Sequence, residues 1–211
     1  KKGGNPESKS KEMVAYHEAG HAVVGALVPD YDQVQKVSIV PRSNGAGGLT
    51  FFAPSEGRLE YGMYSSQYLE SQLAVALGGR LAEEIIYGED AVTTGASNDI
   101  QQVANIANQM VTQLGMSAKV GTVAIEEPGM SMMQKMMMPN GSMWGGNKLK
   151  VVEEEVERLV NNSYMMAKQI LLENYDLFEE LTQALLEREV VSAEEFQMML
   201  YENKSKSVSY G

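Results

Sequence analysis

The sequence predicts a mainly α-helical domain with one small β-ribbon beside an H-E-x-x-H helix, and three observations carry that expectation. Apolar residues recur at helical spacing through long stretches, 69–86, 103–111 and 149–170. Strand-like alternation is confined to two short runs, 35–40 and 49–52. The first helical stretch, from Lys11 to Leu27, carries two histidines four residues apart, and the ribbon follows it directly.

Residues 1–10 are polar and rich in Gly, Ser and Lys, and read as a linker from an N-terminal region absent from this chain; the domain is expected to span 11–201. Ser10 is a plausible N-cap for the first helix, which Pro29 and Asp30 end. Gln35 to Val40 reads as a strand, Pro41 to Gly48 as a turn and Leu49 to Phe52 as a second strand. The edge of such a ribbon can pair with an extended peptide. Ser65 or Ser66 caps a helix running as far as Tyr87, with Gly88 as its C-cap and Gly78-Gly79 permitting close approach of another backbone. An amphipathic helix follows from Asp99 to Leu114. The Met- and Gly-rich run 128–147 reads as a mobile loop, with an adaptive apolar surface or a thioether copper site as lesser readings. Further helices cover Asn147 to Asn174 and the segment around Leu177 to Leu186. Ser192-Ala193-Glu194-Glu195 has the form of a capping box opening a last short helix, and 202–211 is a tail.

Composition narrows the function. Hydrophobic residues make up 44% and charged residues 21%, as in ordinary soluble globular proteins. A net charge of -11 argues against nucleic acid as a partner, since phosphate binding needs clustered Lys and Arg. No run of apolar residues is long enough to span a membrane. With no cysteine there is neither a disulfide nor a thiolate metal site, so any zinc must use His and carboxylate.

The chain has two histidines, and both lie in His17-Glu18-Ala19-Gly20-His21. Residues four apart share one helix face, so both imidazoles can reach one point, as a tetrahedral zinc ion requires. Glu18, beside the first of them, can take a proton from an activated water. For a third ligand the residues leave alternatives open. Glu83 and Glu84 are the first candidates, although carboxylates at such positions are commonly solvent-facing. Asp99 is most simply a helix-start residue favoured by the macrodipole, and can equally hand an oxygen to a metal.

Four motifs occur in order: His17-Glu18-Ala19-Gly20-His21, Gly47-Gly48-Leu49-Thr50, Leu77-Gly78-Gly79-Arg80-Leu81-Ala82-Glu83-Glu84 and Thr93-Thr94-Gly95-Ala96-Ser97-Asn98-Asp99. Together with the pattern from Thr182 to Leu200, they resemble the peptidase domain of the FtsH family of ATP-dependent zinc metalloproteases. The stretch 47–62 and the Met/Gly-rich insert look most like the plastid and cyanobacterial branch. The resemblance implies a zinc endopeptidase with His17, His21 and Asp99 as ligands, which moves Asp99 above Glu83 and Glu84. It implies Glu18 as the base, and Gly48, Leu49, Thr50 and Phe51 as the edge offered to the substrate backbone. It implies unfolded or damaged membrane and soluble proteins as substrates and a homo- or hetero-hexamer of related subunits. The anchor would lie N-terminal to this chain, in a plastid thylakoid membrane with the domain facing the stroma, or else in a mitochondrial or bacterial inner membrane. No G-x-x-x-x-G-K-[ST] occurs, so ATP would act only through an AAA module outside this chain. A proteolytically inactive scaffold subunit of the same kind of complex is the alternative.

Overall fold

The computed structural model describes residues 6–41, 47–124 and 146–209. Helices dominate. In chain order they are α1 (Pro6–Leu27), α2 (Glu56–Tyr61), α3 (Ser66–Tyr87), α4 (Ser97–Thr112), α5 (Gly146–Glu173), α6 (Tyr175–Arg188) and α7 (Ala193–Ser209). Strands β1 (Gln33–Ser38), β2 (Leu49–Ala53) and β3 (Val190–Ser192) form one antiparallel sheet in the order β2-β1-β3. The Met-rich run expected as a loop lies almost wholly outside the described residues, and α5 starts at Gly146.

Helix α3 is the spine, buried almost throughout from Tyr68 to Glu84. Ser65 caps it by accepting a hydrogen bond from the Tyr68 amide at 3.0 Å. Against it pack α1, α4 and α5, and α6 closes the far side of α1. The α1–α3 contact is a backbone contact. A Cβ on Gly20 would stand 2.3 Å from the Gly78 carbonyl oxygen, and one on Gly78 would stand 2.7 Å from the Gly20 carbonyl oxygen. No side chain fits between the two helices there.

Buried polar networks fix the outer helices. Glu84 accepts hydrogen bonds from Tyr164 at 2.6 Å and Lys168 at 3.0 Å, joining α3 to α5. Glu155, 1% exposed, accepts from Ser117 at 2.7 Å and takes a two-pronged contact from Arg158 at 3.0 and 3.1 Å. That ties the segment after α4 to α5. The hydrogen bonds from Arg158 and Ser117 hold the Glu155 carboxyl down at about 2 against the opposing effect of burial.

Several expectations need correction. α1 starts at Pro6, not after Ser10, because a proline's fixed φ suits the first helical position. Strand β1 begins two residues earlier than expected. A bulge between Val34 and Lys36 shifts its register, so Val34 and Val37 are both buried. The ribbon has a third strand, β3, pairing Val191 with Val37 across the whole chain. Helix α2, which buries no side chain, carries no apolar signal in the sequence. The Ser192/Glu195 capping box is present, with reciprocal bonds of 2.8 and 3.3 Å. Helix α7 that follows it is not short: its backbone stays helical to Ser209, through most of the segment expected as a tail.

Two outcomes test this account. Gly78→Ala forces the helix backbones apart and is expected to cost about 1–3 kcal/mol, measured by urea denaturation. Glu155 has a depressed folded pKa, so its contribution is present above the unfolded value of about 4.3 and fades as pH falls toward about 2. Glu155→Gln is therefore expected to melt below the parent at pH 7, with the gap narrowing as the pH drops through that window.

Candidate metal centre

α1 delivers His17, Glu18 and His21 from one face, and the glycine contact with α3 sets how deep that face sits. At Gly79, one residue past the crossing, a Cβ would lie 2.5 Å from His17 Nε2 and 2.6 Å from His21 Nε2. The absence of a side chain there is what gives both rings their room.

The two Nδ1 atoms face acceptors. His17 Nδ1 donates to Glu83 Oε1 at 2.9 Å, and His21 Nδ1 donates to the Val75 carbonyl oxygen at 2.7 Å. Since each partner can only accept, Nδ1 carries a proton and Nε2 is the nitrogen each ring can offer to a metal. The two Nε2 atoms lie 3.0 Å apart. Asp99, in the first turn of α4, brings Oδ2 to 3.2 Å from His17 Nε2 and 3.5 Å from His21 Nε2.

This donor set fits zinc. Ligand atoms at about 2.0–2.1 Å from a tetrahedral ion stand roughly 3.3 Å from one another, which is the spacing found here. Two lone pairs and a carboxylate oxygen converging on one point also demand a positive charge. The imidazole of His17 shows that demand. Burial opposes its protonation, but hydrogen bonds to Asp99 and Glu83 outweigh it and raise the ring's pKa to about 9. Burial would raise Asp99, yet its contacts with His17 and His21 hold it far below the usual carboxylate range. His17, His21 and Asp99 are the one group of three His or acidic residues so clustered among the described residues.

Neither Glu83 nor Glu84 belongs to this group, and neither faces solvent as such carboxylates commonly do; they are 2% and 8% exposed. Glu84 belongs to the α5 network. Glu83 fixes His17: one oxygen accepts the hydrogen bond from Nδ1, and the other accepts from the Thr93 amide at 2.8 Å and the Thr93 hydroxyl at 2.9 Å. These bonds keep Glu83 ionised despite its burial. The Glu83 role follows from its place one helical turn beyond Gly79, a three-dimensional fact that the Glu-Glu pair alone does not signal.

Glu18 is buried, and its Oε2 accepts from the Thr50 hydroxyl at 2.7 Å. The same hydroxyl lies 3.0 Å from the Glu18 carbonyl oxygen. A Cβ at Gly48 would strike the Glu18 carboxylate at 2.6 Å, so this glycine leaves the acid its space. Gly48, Leu49 and Thr50 line a cleft of about 620 Å³ together with Glu18, both histidines and Asp99. Phe51 does not line it. Alternation along the strand sends it to the opposite face, half exposed, and Phe52 stands in the cleft instead. Thr50, expected to meet substrate, spends its side chain on Glu18.

Comparison with known proteins agrees with this geometry. The model of peptidase family M41 matches residues 5–199. ATP-dependent zinc metalloprotease FtsH 3 of Synechocystis sp. is 52% identical over 94% of this chain and 32% of its own length. The chloroplastic ATP-dependent zinc metalloprotease FTSH 1 of Oryza sativa subsp. japonica is 49% identical over 98% of this chain and 30% of its own. FTSH 5 of Arabidopsis thaliana, also chloroplastic, is 48% identical over 98% and 29%. The chain thus spans about a third of the length of the curated relatives it matches.

Removing a ligand and removing its support are expected to differ. Asp99→Asn should abolish stoichiometric zinc binding. Glu83→Gln should keep the site and weaken it roughly 10–100-fold, read by titration against a competing chelator.

Proposed function

This chain belongs to peptidase family M41, which makes it a zinc metalloendopeptidase, and from that premise we propose that its cleft cuts unfolded polypeptide, with zinc held by His17, His21 and Asp99. The observation that carries the reading is the convergence of both Nε2 lone pairs and one Asp99 oxygen on one point, at the mouth of a cleft that also holds Glu18. Bound zinc supplies a Lewis acid that makes water nucleophilic near neutral pH and polarises the scissile carbonyl.

The protein's own residues do the rest. Glu83 and the Val75 carbonyl fix both imidazoles in the tautomer that offers Nε2. Glu18 takes the proton from the attacking water and returns it to the leaving amine, and Thr50 keeps its carboxylate on the cleft side. The backbone of Gly48, Leu49 and Thr50 offers an edge against which an extended substrate can align, because β2 pairs only with β1 in the described sheet.

Among the described residues no helix is long and apolar enough to cross a membrane. Relatives named as ATP-dependent and chloroplastic, together with the FtsH resemblance, lead us to extend the reading to the whole protein. The domain serves an ATP-dependent protease of plastid or cyanobacterial type, anchored in a membrane and assembled as a hexamer. An AAA module outside this chain unfolds damaged proteins and feeds them to the cleft.

Glu18→Gln tests the chemistry. It should retain one zinc per chain by elemental analysis and lose casein cleavage roughly 10²–10⁴-fold. A variant that still cleaves removes Glu18 from the base role. A parent chain that binds zinc but never cleaves points to the scaffold alternative.

A further inference from the structure

A second cavity of about 790 Å³ adjoins the metal cleft, and the two share Gln72, Asn98 and Gln102 in their walls. One wall of this groove is a stripe on α4. Asn98, Gln101, Gln102, Asn105 and Gln109 recur at the spacing of a single helix face, opposite the buried Val103, Ala107, Met110 and Val111. None of these five carboxamides makes a side-chain hydrogen bond to another described residue. No charged side chain lines the groove among the described residues.

The other wall is aromatic. Phe52 and Tyr31, in the metal cleft, meet edge to face at 5.2 Å. Tyr31 stacks on Tyr68 at 5.3 Å, and Tyr68 on Tyr64 at 5.2 Å, both of the latter in the second groove. Tyr68 is pinned from outside. Its hydroxyl donates to Asp32 at 2.8 Å, and the Arg58 guanidinium lies over its ring at 4.3 Å. One continuous aromatic wall therefore runs from the cleft into the groove.

We propose that this groove is an extended-peptide subsite that holds an uncharged stretch of substrate running away from the scissile bond. The inference rests on the peptidase reading above and adds where the rest of the chain goes. Carboxamides both donate and accept, so they can satisfy the N–H and C=O groups of a peptide backbone whatever its side chains. The aromatic wall offers apolar and ring contacts without charge. From Asp99 to Gln109 the helix advances about 15 Å, the length of roughly four to five extended residues. Such a site suits a protease that must grip unfolded segments of varied sequence.

The test measures fluorescence polarisation of labelled, uncharged peptides lengthened from about six to about twelve residues. The zinc-loaded Glu18→Gln chain serves as binder, so that nothing is cut. Affinity should rise roughly tenfold as the peptide lengthens and then level off. The rise should vanish in Gln101→Ala/Asn105→Ala/Gln109→Ala, whose exposed helical positions tolerate alanine and whose melting temperature verifies folding. The isosteric pair Asn105→Asp/Gln109→Glu should weaken acidic long peptides and spare lysine-containing ones. Affinity independent of length, or a rise that survives the triple substitution, overturns the proposal. Cleavage of the shortest peptides by the parent chain reports separately on the peptidase reading, so the two can fail independently.

Discussion

Two helices touching backbone to backbone at Gly20 and Gly78 set the dimensions of everything around the metal site. That contact brings α1 as near to α3 as peptide chains can come. It places the unfilled space of Gly79 beside both imidazoles, and Glu83, one turn further along, against His17. A wider crossing would leave the histidines on a helix face with nothing to orient them. The pair of glycines inside a long helix weakens its intrinsic stability, and burial of nearly every neighbouring side chain of α3 offsets that loss.

Charge is arranged with the same economy. Three carboxylates, Glu18, Glu83 and Asp99, surround two imidazoles, and each has a different partner. Glu83 faces the outer nitrogen, Asp99 faces the inner one, and Glu18 is held in the cleft by Thr50. The cluster carries an excess of negative potential that a divalent cation neutralises, and the same potential raises the pKa of His17.

Much of this was legible in the sequence because it is local. His17, Glu18 and His21 lie within five residues, and helix periodicity alone places them on one face. The limits of α3, and the Ser192/Glu195 box, follow from capping chemistry within a few residues. What stayed hidden depends on distant parts of the chain. β3 is three residues long and is defined only by its partner more than a hundred residues earlier. Glu83 and Glu84 are adjacent and chemically alike, yet helix rotation sends one to His17 and the other to Lys168. Thr50 gave no sign that its hydroxyl would serve a glutamate on α1. Asp99 stood between a helix-start role and a ligand role on spacing alone. The family resemblance raised the ligand role, and the structure places Asp99 in the first turn of α4 with an oxygen 3.2 Å from His17 Nε2.

The sheet order has a consequence for how the protein is made. The groups that converge on the metal site, on α1, α3 and α4, have all been synthesised by Thr112, whereas β1 gains its second neighbour only when Val190–Ser192 emerges. A growing polypeptide can therefore assemble the metal ligands while one flank of β1 is still unpaired. The sheet is completed last, when β3 closes the flank of β1 opposite β2, so the substrate edge and the metal ligands precede in synthesis the strand that braces them.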